Sequence, residues 1–241
     1  MNKGFSLVEL SIVLVILGLL SGGIIGGKSL IRAAELRSVS MEIQGFQTAI
    51  MMFEDKYFAL PGDMRNAERF WGTETKNGNG DGYLEEDAVA NGRESEGFMM
   101  WNQLAHADLI TGSYTGHSGP NNTYEDIPGV NTPESDLDNA CYHLENATTV
   151  DTSREFNLNR QRNYIEAGNH DGVDCDDKFL KPEEAWNIDK KIDDGKPATG
   201  NLMARHYSTC TTATGTLDTS AEYDVSNTSK ECSLIFQGIF R

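Results

Sequence analysis

The feature that most restricts this chain is a run of hydrocarbon side chains, Phe5 to Leu20, broken by one carboxylate, Glu9. A helix that is apolar all round has to be covered by lipid or by other helices. A charge at the centre of a bilayer costs at least ~2.5 kcal/mol, so Glu9 calls for a cationic partner. Ahead of the run stands a short basic leader, Met1-Asn2-Lys3-Gly4. From Phe5 to Gly27 a helix rises about 35 Å, enough to cross a hydrocarbon core.

Three readings of this start compete. A secretory signal peptide would have a longer basic region and a small-residue cleavage site after the apolar run, for which Ser21-Gly22-Gly23 would serve. A plain signal anchor gives no reason for Glu9. A cut between Gly4 and Phe5 leaves a free α-amine on Phe5, close in sequence to Glu9, and so supplies a cation. Gly18, Gly22, Gly23, Gly26 and Gly27 let membrane helices approach closely and also make local melting easy.

Beyond the lipid the helix is expected to continue over residues 28–59. Leu36, Val39, Ile43, Phe46, Ile50, Phe53 and Tyr57 fall in steps of three and four, one apolar stripe. Glu35, Arg37, Ser38, Gln44, Gln47 and Glu54 take the other face. Leu60-Pro61-Gly62-Asp63 ends the helix, because Pro61 drives Leu60 out of helical geometry. Residues 60–241 form the remaining, extracytoplasmic domain. Asp63 is placed to cap a short helix reaching Phe70 or Trp71. Helical spacing covers Glu96 to Ile110, with Phe98, Trp101, Leu104 and Ala105 inward. Thr111 to Asp138 reads as irregular. Pro182 opens a helix to about Asp193, with Ala185, Ile188 and Ile192 inward. Leu202–Thr209 and Ser233–Phe240 are the strands predicted late in the chain.

A net charge of −17 argues against nucleic acid as the main partner and favours solubility and divalent cations. Cys141, Cys175, Cys210 and Cys232 contain no C-x-x-C pair, so a zinc–thiolate site is poorly supported. All four lie in the exported part. Disulfides are expected there, with Cys210–Cys232 and Cys141–Cys175 favoured among three pairings. Buried free thiols are the alternative.

Asn77-Gly78-Asn79-Gly80-Asp81-Gly82 spaces oxygen side chains like the first half of an EF-hand loop. Tyr83 would add a carbonyl, and Glu85, Glu86 or Asp87 a carboxylate, although position twelve is Ala88. Ca²⁺ is the ion such a loop would take; a solvated Gly/Asn turn is the competing reading. Asn169, Asp171, Asp174, Asp176 and Asp177 form a second oxygen cluster, for which a surface acidic loop is the plain reading. Three N-x-S/T tripeptides, at Asn121, Asn146 and Asn227, carry little weight in a chain this rich in Asn and Thr. No enzyme is indicated. His106, His117, His143, His170 and His206 show no H-E-x-x-H spacing, and Gly116-His117-Ser118-Gly119 lacks the final glycine of a nucleophile elbow. The histidines read as surface or loop residues, with His170 alone beside carboxylates.

Gly4-Phe5-Ser6-Leu7-Val8-Glu9 followed by an apolar helix resembles the processing motif of type IV prepilins and type II secretion pseudopilins. Leu60-Pro61-Gly62-Asp63, the Trp101–Leu104 helix and Asn187–Gly195 are similar, less specifically, to segments of larger prepilin-type proteins. The resemblance implies cleavage between Gly4 and Phe5 by a prepilin peptidase, methylation of Phe5, and Glu9 facing the Phe5 amine of a neighbour. It implies an α+β pilin-like fold, with a long helix on a small antiparallel sheet carrying loops and short helices. A structural subunit of a type IV pilus or pseudopilus is then expected. It would cross the inner membrane once before assembly, then stand in a periplasmic pseudopilus or a cell-surface pilus. Like subunits, the peptidase and an inner-membrane assembly platform would be its partners. A low-copy secretion pseudopilin, or a tethered calcium-binding or adhesive domain that never polymerises, are the alternatives.

Overall fold

The computed structural model describes residues 6–84, 95–120, 125–137, 139–146, 155–156 and 163–240. Helix α1, Leu7–Tyr57, dominates it with 51 residues, about 75 Å. It runs unbroken through the membrane-segment glycines. It stops at Tyr57, ahead of the expected boundary, because Phe58 turns into the left-handed region (φ 55°) and closes the end with its N–H on the Glu54 carbonyl. Pro61 lies beyond a turn already made.

The C-terminal half of α1 is amphipathic, as its stripe predicts. Val39, Ile43, Ile50 and Phe53 are buried, and Leu36, Phe46 and Tyr57 pack against the same core. Each such side chain contributes roughly 1.5–3 kcal/mol when fully removed from water. Phe46 sits edge-on between Trp101 and Tyr142, with ring centroids 5.0 and 4.9 Å away.

Under this half-helix lies a four-stranded antiparallel sheet: β1 (Ala140–Asn146), β2 (Asn163–Asn169), β3 (Leu202–Ala204) and β4 (Leu234–Phe236), in the order β1-β2-β4-β3. Tyr142, Leu144, Ile165, Ala167, Leu202, Ala204, Leu234 and Phe236 face the α1 core. The other face carries His143 opposite Glu166, then Ile235 and Met203 in the same row. Its β4–β3 side is covered by a small apolar cluster with Phe156 and Tyr164. Long helix over small sheet makes this an α+β, pilin-like fold.

Among the described residues four shorter α-helices complete the head, α2 (Glu68–Trp71), α3 (Glu96–His106), α4 (Pro182–Ile192) and α5 (Tyr207–Cys210), with a 3-10 turn at Gly72–Glu74. Helix α3 is capped by Ser95 and is buried on every side from Glu96 to Leu104. Helix α4 buries Ala185 and Ile188, with Ile192 packed at the margin. Local expectations need correction: α3 ends at His106 and not at Ile110, and the strand expected over Ser233–Phe240 is confined to Leu234–Phe236. Asp63 does not cap α2; it is buried and accepts N–H groups from Gly80 and Gly82, while Asn77 Oδ1 accepts the Glu68 N–H. Gly62 makes that packing feasible: φ is +91°, and a Cβ there would sit 2.3 Å from the Glu96 carbonyl oxygen. The predicted strand Leu202–Thr209 ends at Ala204, because His206 adopts a left-handed conformation and opens α5. The two longest strands, β1 and β2, are absent from the sequence reading.

Candidate functional site

Ser6 starts α1 as its N-cap, its Oγ accepting N–H groups of Val8 and Glu9 at 3.2 and 3.4 Å. Glu9 reaches back and accepts the Ser6 N–H on Oε2 at 2.8 Å. This reciprocal capping box holds the Glu9 carboxylate at the helix end, one residue from Phe5. Gly4 and Phe5 lie outside the described residues.

Between Leu7 and Ile31 the described apolar side chains face the surroundings: Leu7 is 86 % exposed, Leu19 and Leu30 each 74 %. A Cβ added at Gly18, Gly22, Gly23, Gly26 or Gly27 would touch nothing. Among the described residues this is the one helix long and apolar enough to cross a membrane, with a mean hydropathy of 2.4 over its most apolar stretch.

The head grips α1 just beyond this segment. Arg32 donates from Nε and Nη2 to the two carboxylate oxygens of Glu184 on α4, at 2.7 and 2.9 Å. Glu184 also closes the start of α4 by accepting the Lys181 N–H. Burial of Glu184 works against ionisation, but the Arg32 pair outweighs it and holds the carboxyl below its ordinary range. Three turns along α1, Glu42 accepts hydrogen bonds from the Ser135 and Tyr142 hydroxyls and the Asp136 N–H. Gln47 donates to the Gly238 carbonyl. None of these ties stands out in the sequence, since each charge on α1 reads as a solvated residue until the fold supplies its partner.

The four cysteines pair as Cys141–Cys175 and Cys210–Cys232, with Cα separations of 5.3 and 5.0 Å. The first ties β1 to the acidic loop after β2. The second ties α5 to the chain entering β4.

The Asn77–Gly82 loop commits its oxygens to backbone groups: Asn77 to Glu68, Asn79 to Asp81 and Asp81 to Tyr83. Asp63 and Glu96 accept N–H groups from the same loop. Glu85 and Glu86 lie outside the described residues. The second oxygen cluster divides. Asp171 closes a turn, Asp176 goes to Arg205, and Asp174 faces Asp126 and His143. Arg205 is buried and bridges Glu155, Glu166 and Asp176. Burial pushes the Glu166 carboxyl well up, Arg205 pulls against this, and Glu155 and Glu145 add to the rise. The reading of His170 as the histidine beside carboxylates is corrected: His143 is buried with Nδ1 2.9 Å from Asp126 Oδ2. His206 is buried as well, its Nε2 3.2 Å from the Asp176 carbonyl. Both were hidden because a histidine in a loop or on a polar strand face carries no pattern of its own.

Residues 1–25 match the family model of the prokaryotic N-terminal methylation motif. No curated protein and no solved structure matches the chain. The motif and the apolar helix together fit a membrane-anchored pilin precursor. The chain carries the signature of type IV prepilins and pseudopilins on the long helix of a pilin-like fold.

Proposed function

We propose that this protein is a structural subunit of a type IV pilus or pseudopilus, cut between Gly4 and Phe5 and polymerised through the first half of α1. The observation that carries this reading is the methylation motif at the start of a helix whose apolar half touches nothing in its own head. Cleavage leaves an ammonium on Phe5, and Glu9 already stands at the same helix end. Among bundled helices a buried carboxylate requires a close cation, and the Phe5 amine of an adjacent subunit meets that need and sets register. The acidic heads then form the outside of the filament. Partners in this reading are like subunits and an inner-membrane assembly platform, with the cytoplasmic motor acting through that platform.

Replacing Glu9 by Ala in the natural host tests it. Filaments sheared from cells should lose the subunit while the membrane retains folded, disulfide-bonded protein. Undiminished incorporation of the variant contradicts the reading. Abundant wild-type subunit in the sheared surface fraction marks a pilus; retention in the periplasm marks a secretion pseudopilus.

A further inference from the structure

We propose that Asp126, His143 and Asp174 form a binding site for a divalent metal ion of the zinc class. The site lies on the face of the sheet turned away from α1. His143 comes from the middle of β1, and Asp126 and Asp174 come from two loops laid over that strand. One ligand atom from each lies within 4.8 Å of the other two. Asp126 is 1 % and His143 7 % exposed, so these donors are fixed in the fold.

The arrangement is braced. The Cys141–Cys175 disulfide joins the strand just before His143 to the residue after Asp174. The Cys175 N–H donates to Asp126 Oδ2 at 2.8 Å, orienting that carboxylate. Such outer contacts are what hold metal ligands in place.

An unsatisfied oxygen within the cluster is a second, separate observation. Glu166, fully buried and paired with His143 across β1 and β2, gives its carboxylate to Arg205 and is not among the three clustered ligands. Asp174, half-buried as a residue and one of the three clustered ligands, has its Oδ1 sealed from solvent without a donor. A carboxylate oxygen sealed without a donor is unfavourable, and a metal cation held between Asp174, Asp126 and His143 relieves it in competition with a proton. Arg205 already serves Glu166 Oε2, Asp176 and Glu155. The donor set selects the metal. One imidazole nitrogen with carboxylate oxygens suits Zn²⁺, whereas Ca²⁺ and Mg²⁺ prefer oxygen alone. His143 Nδ1 lies 2.9 Å from Asp126 Oδ2, so a metal ion bound by both takes the place of their mutual contact.

The test uses the full-length chain in detergent with both disulfides intact, treated with chelator and titrated calorimetrically with ZnCl₂. One equivalent should bind, with a dissociation constant of about 10 µM or tighter, and His143→Gln and Asp174→Asn should each weaken it by about tenfold or more. His106→Gln, at the end of α3, should leave it unchanged. Zinc-edge absorption should show a nitrogen scatterer at about 2.0 Å. If His143→Gln fails to fold, Asp174→Asn at the rim decides. The proposal is overturned by no zinc uptake, by uptake that the variants leave intact, or by CaCl₂ binding more tightly than ZnCl₂. Histidine resonances showing His143 as a simple imidazolium–carboxylate pair, unmoved by zinc, overturn it as well.

Discussion

The two halves of α1 are one continuous helix in two solvents. Leu17 is 53 % exposed and Ile50 is wholly buried, though both are aliphatic residues within the same element. The C-terminal half is amphipathic and takes its partner from its own chain: Trp101, Tyr142 and the sheet. The N-terminal half is apolar all round and leaves its partner to be supplied from outside. Helix formation alone does not distinguish them; what covers each face does.

This contrast can be broken most directly with paired truncations. Phe53→Ala should destabilise the head by about 3–5 kcal/mol in denaturant melts, because it opens a cavity in the main core. Leu17→Ala should leave the same melt unchanged; a matching loss at both positions would mean that the halves are not independent. Next in size, replacing Cys141 and Cys175 together by Ser should cost about 3 kcal/mol, read as a lower thermal midpoint of the head with membrane retention intact. Glu42→Ala should follow at roughly 1–3 kcal/mol, since Tyr142 and its neighbours lose an acceptor where α1 meets the sheet. Arg32→Gln should cost about 1 kcal/mol, less at high salt, as the Glu184 pair is partly exposed.

Acidity sharpens the same division through two buried carboxyls of the head. Burial raises the Asp189 carboxyl to about 7 against the donors Tyr223 and Gly195, with Asp194 and Asp193 adding to the rise. Burial, opposed by His143, likewise raises Asp174 to about 6 in the metal-free protein. In the unfolded chain both ionise near 4. Below that pH neither group favours one state. Between roughly 4 and 7 the folded state binds protons that the unfolded state has released, so stability falls as pH rises. The melting midpoint should therefore be higher by a few degrees at pH 5 than at pH 8, and Asp189→Asn should flatten the slope.

Much of this was legible from residues that repeat with a period. The stripe from Leu36 to Tyr57 and the proline opening of α4 carry their own signal; the one-sided packing expected of α3 does not hold, since that helix is buried all round from Glu96 to Leu104 and ends at His106, short of Ile110. Strands β1 and β2 were lost because their outer-face residues His143, Glu145 and Glu166 are polar, and polar alternation reads as a loop until another layer covers it. Tyr142 and Leu144, alternating with those polar residues, were the available clue. Ties such as Arg32–Glu184 and Asp126–His143 join positions far apart in sequence, and nothing local marks either end. The N-terminal motif was legible because its chemistry is local: a leader, a cut, an acid and an apolar helix in one short stretch.

Mass spectrometry of the mature N-terminus, on protein taken from the native membrane, tests the central claim most directly. The account predicts a chain that begins at Phe5 and carries a methyl group on its amine. A chain that still begins at Met1, or one that begins after the apolar segment, contradicts it.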